Sequence, residues 1–311
     1  MKRPIKFVRS SFYRLRLYKL HLFRTFYIAR FKNAEKALPE PPITVCIPAF
    51  KSESWIHETF RSLESQTFQH FNVLISIDGY DLDTFEKCRP LLNNSRYKVH
   101  LQTKRLGWVG NTNWLLANAS TPFVSILPHD DLFHPFYLEV LYKHLLAHPK
   151  CLLVYSDTQM IGSDPSFKGR YFIQSSLKGA PIQRMQKYLL RHLNAAGFRG
   201  LIVKEALELS GLIPENQPDH FAADTIWIGK IAKQGEIHRI PVPLCTKRYH
   251  ANNTHMKWFK KTKEEQKIAW QTSCEALLAE FLKQVNDPIH QEKLREATAF
   301  RFEQGCLKFG L

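Results

Sequence analysis

Between Ile43 and Leu146 short apolar runs alternate with amphipathic segments. Ile43–Ile47 ends at Pro48, which has no N–H to give a sheet ladder. Phe71–Ile77 ends at Asp78-Gly79, Tyr97–Leu101 leads into Lys104 and Arg105, and Phe123–Leu127 ends at Pro128. Such runs predict buried strands. Between them, helices are predicted from the candidate caps Ser52 and Ser54 to about Gln66, with Ile56, Phe60 and Leu63 on one face. Further helices are expected over Leu82–Leu92, from about Gly110 to Ala119, and over Phe136–Leu146. Strand and helix in alternation imply right-handed crossovers and an α/β fold with a mostly parallel sheet flanked by helices. Open sheets of this kind place ligand chemistry at the carboxyl ends of their strands. Asp78, Lys104, His129 and Asp130 all fall there.

The stretch Ser120–Pro135, STPFVSILPHDDLFHP, is the centre of this pattern. A buried strand delivers His129, Asp130 and Asp131, groups able to bind a metal or a proton. Asp131 as a plain helix cap is the competing reading. Beyond Leu146 a strand is predicted over Leu152–Met160, a loop over Gly162–Ala180, a helix over Pro181–Leu193 and a strand over Phe198–Val203. A short helix, Lys204–Ser210, stops at Gly211, and Asp224 stands at the N-cap position of a helix over Thr225–Gln234. Ile237–Ile240 reads as a short strand and Thr246–His255 as a polar loop. From Trp258 to Leu307 two or three amphipathic helices are expected, broken at Asp287-Pro288.

Charge is unevenly placed. Residues 1–32 carry ten Lys and Arg and no acid, out of a net charge of +16 for the 311-residue chain. Aromatic and aliphatic residues interleave with those bases, too often interrupted for a spanning helix and without the apolar core of a secretory signal. The pattern suits the headgroup layer of an anionic membrane; packing on the chain's own domain and nucleic-acid binding are the alternatives. The six cysteines form no C-x-x-C pair, so neither a zinc cluster nor a disulfide framework is indicated, and a reducing compartment fits best.

Several segments in order resemble family 2 glycosyltransferases of the GT-A (Rossmann-like) fold, over roughly Ile43 to His250. Pro48-Ala49-Phe50, with Glu53 following, resembles the opening loop that wraps the nucleotide base, with Lys51 in place of the usual Asn. Ile77-Asp78-Gly79-Tyr80-Asp81 resembles the Asp-Asp-Gly-Ser motif with one acid kept, at Asp78. Arg105-Leu106-Gly107 and Asn113 resemble the segment ahead of the metal motif. Pro128-His129-Asp130-Asp131 stands where the family has Asp-x-Asp-Asp, with Pro128 replacing the first acid. Ala223-Asp224 resembles the pair that supplies the catalytic base, and Arg248-Tyr249-His250 the segment whose histidine reaches the metal or diphosphate.

The resemblance implies an inverting transferase that moves a sugar from a nucleotide-sugar donor, with a UDP-sugar expected, to a glycan or lipid-linked acceptor in surface polysaccharide biosynthesis. Asp224 is the expected general base. Pro48, Ala49, Phe50, Glu53, Asp78, Gly107, Asn113, His129 and Asp130 are the expected donor-binding residues. Asp130 and His250 are the expected ligands of Mn2+ or Mg2+, with Asp131 orienting the loop and Lys104 or Arg105 sharing the charge compensation. The expected organisation is a basic membrane-surface segment over 1–36, a GT-A domain over 43–255 (nucleotide half 43–131, acceptor half 132–255) and a helical extension over 256–311. The expected location is cytoplasmic, peripheral on the inner face of the membrane, with no nucleic-acid partner. A catalytically inactive GT-A scaffold is the alternative that Pro128 and the single acid at Asp78 motivate.

Overall fold

The computed structural model describes Leu20 and residues 22–30, 40–162, 171–251 and 253–311. Four strands, β1 (Ile43–Ala49), β2 (Phe71–Ile77), β3 (Tyr97–Leu101) and β4 (Phe123–Ile126), pair in parallel in the order β3-β2-β1-β4. Helices α1 (Ile56–Glu64), α2 (Leu82–Cys88) and α3 (Gly107–Asn118) make the crossovers. The registers Ile43↔Phe71 and Ile43↔Phe123 align these strands, so their carboxyl ends share one edge. The expected helix over Leu82–Leu92 is shorter: Pro90 lacks the N–H an α-helix needs, and residues 89–93 tighten into a 3-10 turn.

The chain continues through β5 (Leu132–Phe133), α4 (Tyr137–Ala147), β6 (Cys151–Gly162), β7 (Tyr171–Phe172) and α5 (Pro181–Arg191). Next come β8 (Leu201–Val203), α6 (Lys204–Ser210), α7 (Ala223–Gln234) and β9 (Glu236–Tyr249). The sheet extends as β4-β8-β6-β9-β5, with β7 on β6. β6 and β9 are parallel along most of their length, whereas the antiparallel pairs are only two or three residues long. The sheet is thus mostly parallel, as the alternation of elements implies.

β9 corrects the expectation of a short strand at Ile237–Ile240 and a loop from Thr246. Pro241 and Pro243 suggest a strand end, but β9 bulges at residues 241–244 opposite Ser156–Thr158 of β6, and the ladder resumes through Thr246–Tyr249. The expected strand over Phe198–Val203 divides into a 3-10 turn, Ala196–Arg199, and β8. Gly200 joins them because any Cβ there would lie 2.7 Å from the carbonyl oxygen of Val154.

Helices cover both faces of the sheet. Leu115, Tyr188, Trp227 and Phe281 fill one side, and Ile56, Phe60, Tyr137 and Leu141 the other. The C-terminal helices α8 (Lys263–Leu282) and α9 (Pro288–Phe309) contribute Leu277, Phe281 and Leu294 to the first of these cores. A Thr262–Glu265 capping box starts α8, and Asp287 caps α9 ahead of Pro288. The buried Arg301 of α9 donates to the carbonyl of His192 at 2.6 Å, tying the last helix to the end of α5.

Of the basic N-terminal segment, residues 22–29 are helical and lie on α4. Arg24 forms a two-pronged ion pair with Glu139, at 2.8 and 3.1 Å, and Leu20 is buried in the core. This part of the segment packs on its own domain, while Phe26 stays 73% exposed. The remainder of the membrane-surface reading, on 1–19, 21 and 31–36, lies outside the described residues. Among the described residues no helix is long and apolar enough to cross a membrane.

Candidate active site

The loop after β4 is held from two sides. Thr59 Oγ1 of α1 lies 2.8 Å from the carbonyl of His129 and 3.0 Å from that of Asp131. His129 Nδ1 donates to the carbonyl of Pro48 at the end of β1, at 3.0 Å. Pairing of β5 with β9 at Leu132↔Thr246 then sets the end of β9 beside this loop. His250 Nε2 accordingly reaches Asp130 Oδ2 at 2.9 Å, and Asn253 Nδ2 donates to the same oxygen at 2.8 Å. Asn253 also accepts the backbone N–H of His250 at 2.9 Å. Desolvation would raise the Asp130 carboxyl, but the His250 hydrogen bond and the nearby His129, Arg199 and His250 charges bring it down to about 2. Asp130 is therefore an ionised, nearly buried carboxylate with an imidazole against it.

Asp131 points inward, 1% exposed, and pairs with Arg199 Nε while accepting the backbone N–H of Arg248 at 2.9 Å. It fixes the loop to β9 and does not cap α4, whose N-cap is Phe136. Strand alternation in β9 sends Arg248 and His250 to one side and Lys247 to the other. Arg248 lies 4.5 Å above the Trp55 ring and donates to Glu58 at 2.7 Å, and His250 stacks on the same indole at 5.3 Å between centroids. On the opposite side, burial and the neighbouring Arg199 push Lys247 down to about 8, while Asp131, Asp224 and Asp130 act to raise it.

Asp224 lies within the first turn of α7, which begins two residues earlier than expected, at Ala223, so it is not the N-cap. Its Oδ1 accepts the N–H of Thr225 at 2.8 Å. Burial nevertheless raises its pKa, against the Thr225 hydrogen bond and the charges of Lys247 and Arg199. Lys247 and Arg199 are thus electrostatic neighbours of both Asp131 and Asp224, joining the loop after β4 to the start of α7.

The other expected donor-binding residues line the same edge, with differing tasks. Asp78 accepts from the N–H groups of Leu106 at 2.6 Å and Gly107 at 3.0 Å, and Arg105 Nε lies 3.2 Å away. Asp78 thereby satisfies the amino end of α3, whose own N-cap residue, Leu106, has no side chain able to do so. Ala49 accepts the N–H of Asp78 at 2.9 Å, and Arg105 stacks over Phe50, 3.1 Å from the ring centroid. Glu53 is exposed in the loop beyond. Asn113 makes two bonds to the backbone of Ile213, at 2.9 and 3.0 Å, holding the chain that leads towards Asp224. Arg199, Lys247, Asn253 and Trp55 were not expected from sequence. Alternation would have singled out Lys247 had residues 246–249 been read as strand.

A family model described as glycosyl transferase family 2 matches residues 44–207. Glycosyltransferase GlyA of Streptococcus pneumoniae is 23% identical over 111 residues, covering 36% of this chain and 16% of that protein, so the match spans a small part of the pneumococcal relative. An uncharacterised glycosyltransferase of Haemophilus influenzae is 21% identical over 225 residues, covering 69% of this chain and 67% of that protein. Among solved structures, S. aureus TarS 1–349 in complex with UDP-GlcNAc superposes with a TM-score of 0.64 at 18% identity, over 84% of this chain and 72% of that one. The mannosyltransferase PcManGT of Pyrobaculum calidifontis, in complex with GDP-Man and Mn2+, gives 0.56 at 18% identity, over 89% and 77%. These likenesses bear out the GT-A fold, and the family match spans more than half of the sequence: the chain belongs to glycosyl transferase family 2.

Proposed function

We propose that the chain transfers a sugar from a nucleotide-sugar donor to a hydroxyl of a glycan or lipid-linked acceptor, with inversion at the anomeric carbon. The observation that carries this reading is the convergence of Asp130 and His250 at the sheet edge, with the buried Asp224 linked to them through Lys247 and Arg199. Family membership narrows the chemistry to glycosyl transfer.

His250 Nε2–H donates to the ionised Asp130 at 2.9 Å, and with an ion in place of that proton the carboxylate oxygen and imidazole nitrogen form a donor pair that fits Mn2+ or Mg2+. They would hold the ion, which when bound supplies charge neutralisation for the departing diphosphate. Pro128 withholds one carboxylate, and the cations Arg199, Lys247 and Arg248 compensate by adding positive potential around the loop. Phe50 and Arg105 offer a flat stacking surface for a base. Asp224, its proton affinity raised by burial, takes the acceptor's hydroxyl proton. One base with no neighbouring nucleophile implies a single displacement and hence inversion. A UDP-sugar is the proposed donor, supported by the likeness to TarS in complex with UDP-GlcNAc. A place at the inner membrane face in polysaccharide assembly is supported by the basic N-terminal segment and the exposed Phe26.

Pro128 also favours a second reading, an inactive scaffold. Purified protein with labelled UDP-, GDP- and dTDP-sugars and an acceptor extract decides between them. Transfer by the wild type that Asp224→Asn abolishes, with nucleotide binding retained, supports the transferase. Nucleotide binding without turnover of any donor supports the scaffold, and full activity of Asp224→Asn removes that residue as base.

A further inference from the structure

At the other end of β9 from His250 lies a cluster that the sugar-transfer chemistry does not use. His144 closes α4, His148 follows it one helical turn later, and His238 stands near the start of β9. One ring nitrogen from each lies within 4.8 Å of the others. His238 and Tyr249 are eleven positions apart along β9, roughly 30 Å, so the cluster is well separated from Asp130.

The hydrogen bonds leave a lone pair on one ring nitrogen each of His148 and His238 and engage both ring nitrogens of His144. His148 Nδ1 lies 2.8 Å from the carbonyl of His144, which only accepts, so Nδ1 carries the proton and Nε2 has the lone pair. His238 Nε2 faces Oε2 of Glu236 at 2.8 Å, which leaves the lone pair on Nδ1. That Nδ1 accepts from His144 Nε2 at 2.7 Å, and the hydroxyl of Tyr27 meets His144 Nδ1 on the other side; an ion would replace the shared proton, with the His144 proton moved to Nδ1 facing Tyr27. Glu236 and Tyr27 thus sit where outer partners orient metal-bound imidazoles. Histidines four apart at a helix end present to one side, as in many metal sites.

We propose that His144, His148 and His238 form a binding site for a transition-metal ion of the Zn2+ class. Three imidazoles suit Zn2+, Cu2+ or Ni2+ and not the oxygen-seeking Mg2+. Nitrogen ligands of tetrahedral zinc at 2.0–2.1 Å are about 3.3 Å apart, so the stacked rings of His144 and His148, 4.0 Å between centroids, would turn about their side-chain bonds to converge on the ion, with a fourth position left for water. The ion would fasten the start of β9 to the end of α4 and, through Tyr27, to the helical residues 22–29. The competing arrangement is the hydrogen-bonded chain Tyr27–His144–His238–Glu236 acting alone.

Metal-stripped full-length protein, titrated with Zn2+ against a chromophoric chelator and with Co2+ followed by its visible absorption, separates the two. Asp130→Asn serves as the background, so that an ion at the sugar-transfer edge does not count. One equivalent bound in that background, lost on adding the half-buried His148→Gln, is the expected result. Glu236→Gln is expected to weaken Zn2+ by about 10–100-fold, and it keeps the test open should His148→Gln not fold. No tight Zn2+ in the Asp130→Asn background, or equal affinity after both substitutions, overturns the proposal.

Discussion

His250 Nε2 lies 2.9 Å from Asp130 Oδ2, although 120 residues separate them in the chain. The short antiparallel pairing of β5 with β9 makes the contact: once Leu132 faces Thr246, the residues flanking that pair are brought side by side. Asn253 locks it by donating to Asp130 and accepting from the His250 backbone. A carboxylate with its partners thus arranged is pre-organised, and the ordering entropy of assembling it is met during folding.

As the proposed base, Asp224 should set a pH dependence. Its folded pKa is raised by burial, so the base form appears only as pH climbs through that raised value. Transfer rate should therefore increase with pH on the acidic limb, and Asp224→Asn should lower kcat by about 10²–10⁴-fold. The stability effect runs oppositely. Between the unfolded carboxylate value, about 4, and the raised folded one, the unfolded chain binds fewer protons, so this group's contribution falls as pH rises. Asp224→Asn should remove that loss, measured as urea midpoints against pH.

Arg199 and Asp131 form a buried pair whose halves depend on each other. Asp131 holds the proton of Arg199 tighter, against the desolvation that would loosen it. Arg199→Met leaves an unpaired carboxylate and should cost about 3–5 kcal/mol. Adding Asp131→Asn should restore part of that, so a double-mutant cycle in urea should show clear coupling.

His192 should make the chain acid-sensitive. It is buried at the end of α5, and desolvation, aided by Arg301 and Lys187 and opposed by a bond to the Ser175 backbone, pushes it down to about 3. The unfolded imidazole takes up a proton near 6.5, where the native one does not. Stability should fall as pH drops from about 6.5 towards 3, by up to roughly 1.4 kcal/mol per pH unit. His192→Gln should flatten that slope in urea titrations across this range.

The C-terminal helices meet at a contact with no room to spare. A Cβ on Gly305 of α9 would collide with the indole of Trp270 in α8, which is itself fully buried. In an open helix Gly→Ala is stabilising. Here Gly305→Ala should destabilise by about 1–3 kcal/mol through overpacking, seen as a lower Tm.

The parallel half of the fold was legible because its strands are short, apolar and closed by Pro48, Asp78-Gly79 and Pro128, signals that act within a few residues. Asp130, His250 and Asp224 were singled out through the resemblance of local motifs, and the structure brings Asp130 and His250 together. What sequence did not disclose depends on pairing between distant segments. Prolines at 241 and 243 concealed β9, because the bulges that accommodate them show only once β9 is paired with β6, where Ser156, Asp157 and Thr158 face Ile240, Pro243 and Cys245. Arg199 gave no local signal, since its meaning comes from Asp131, 68 residues earlier. Asp78 was expected to bind the donor; its oxygens meet the uncapped amino end of α3, a need visible only once the strand and helix are set together.

The most direct test of the account is the affinity of UDP, measured calorimetrically with and without Mn2+, for the wild type, Asp130→Asn and His250→Gln. Mn2+ should tighten UDP binding to the wild type by about tenfold or more, some 1.4 kcal/mol. That gain should vanish in Asp130→Asn and shrink in His250→Gln. Equal UDP affinity with and without Mn2+, or a Mn2+ gain that survives in Asp130→Asn, would contradict it.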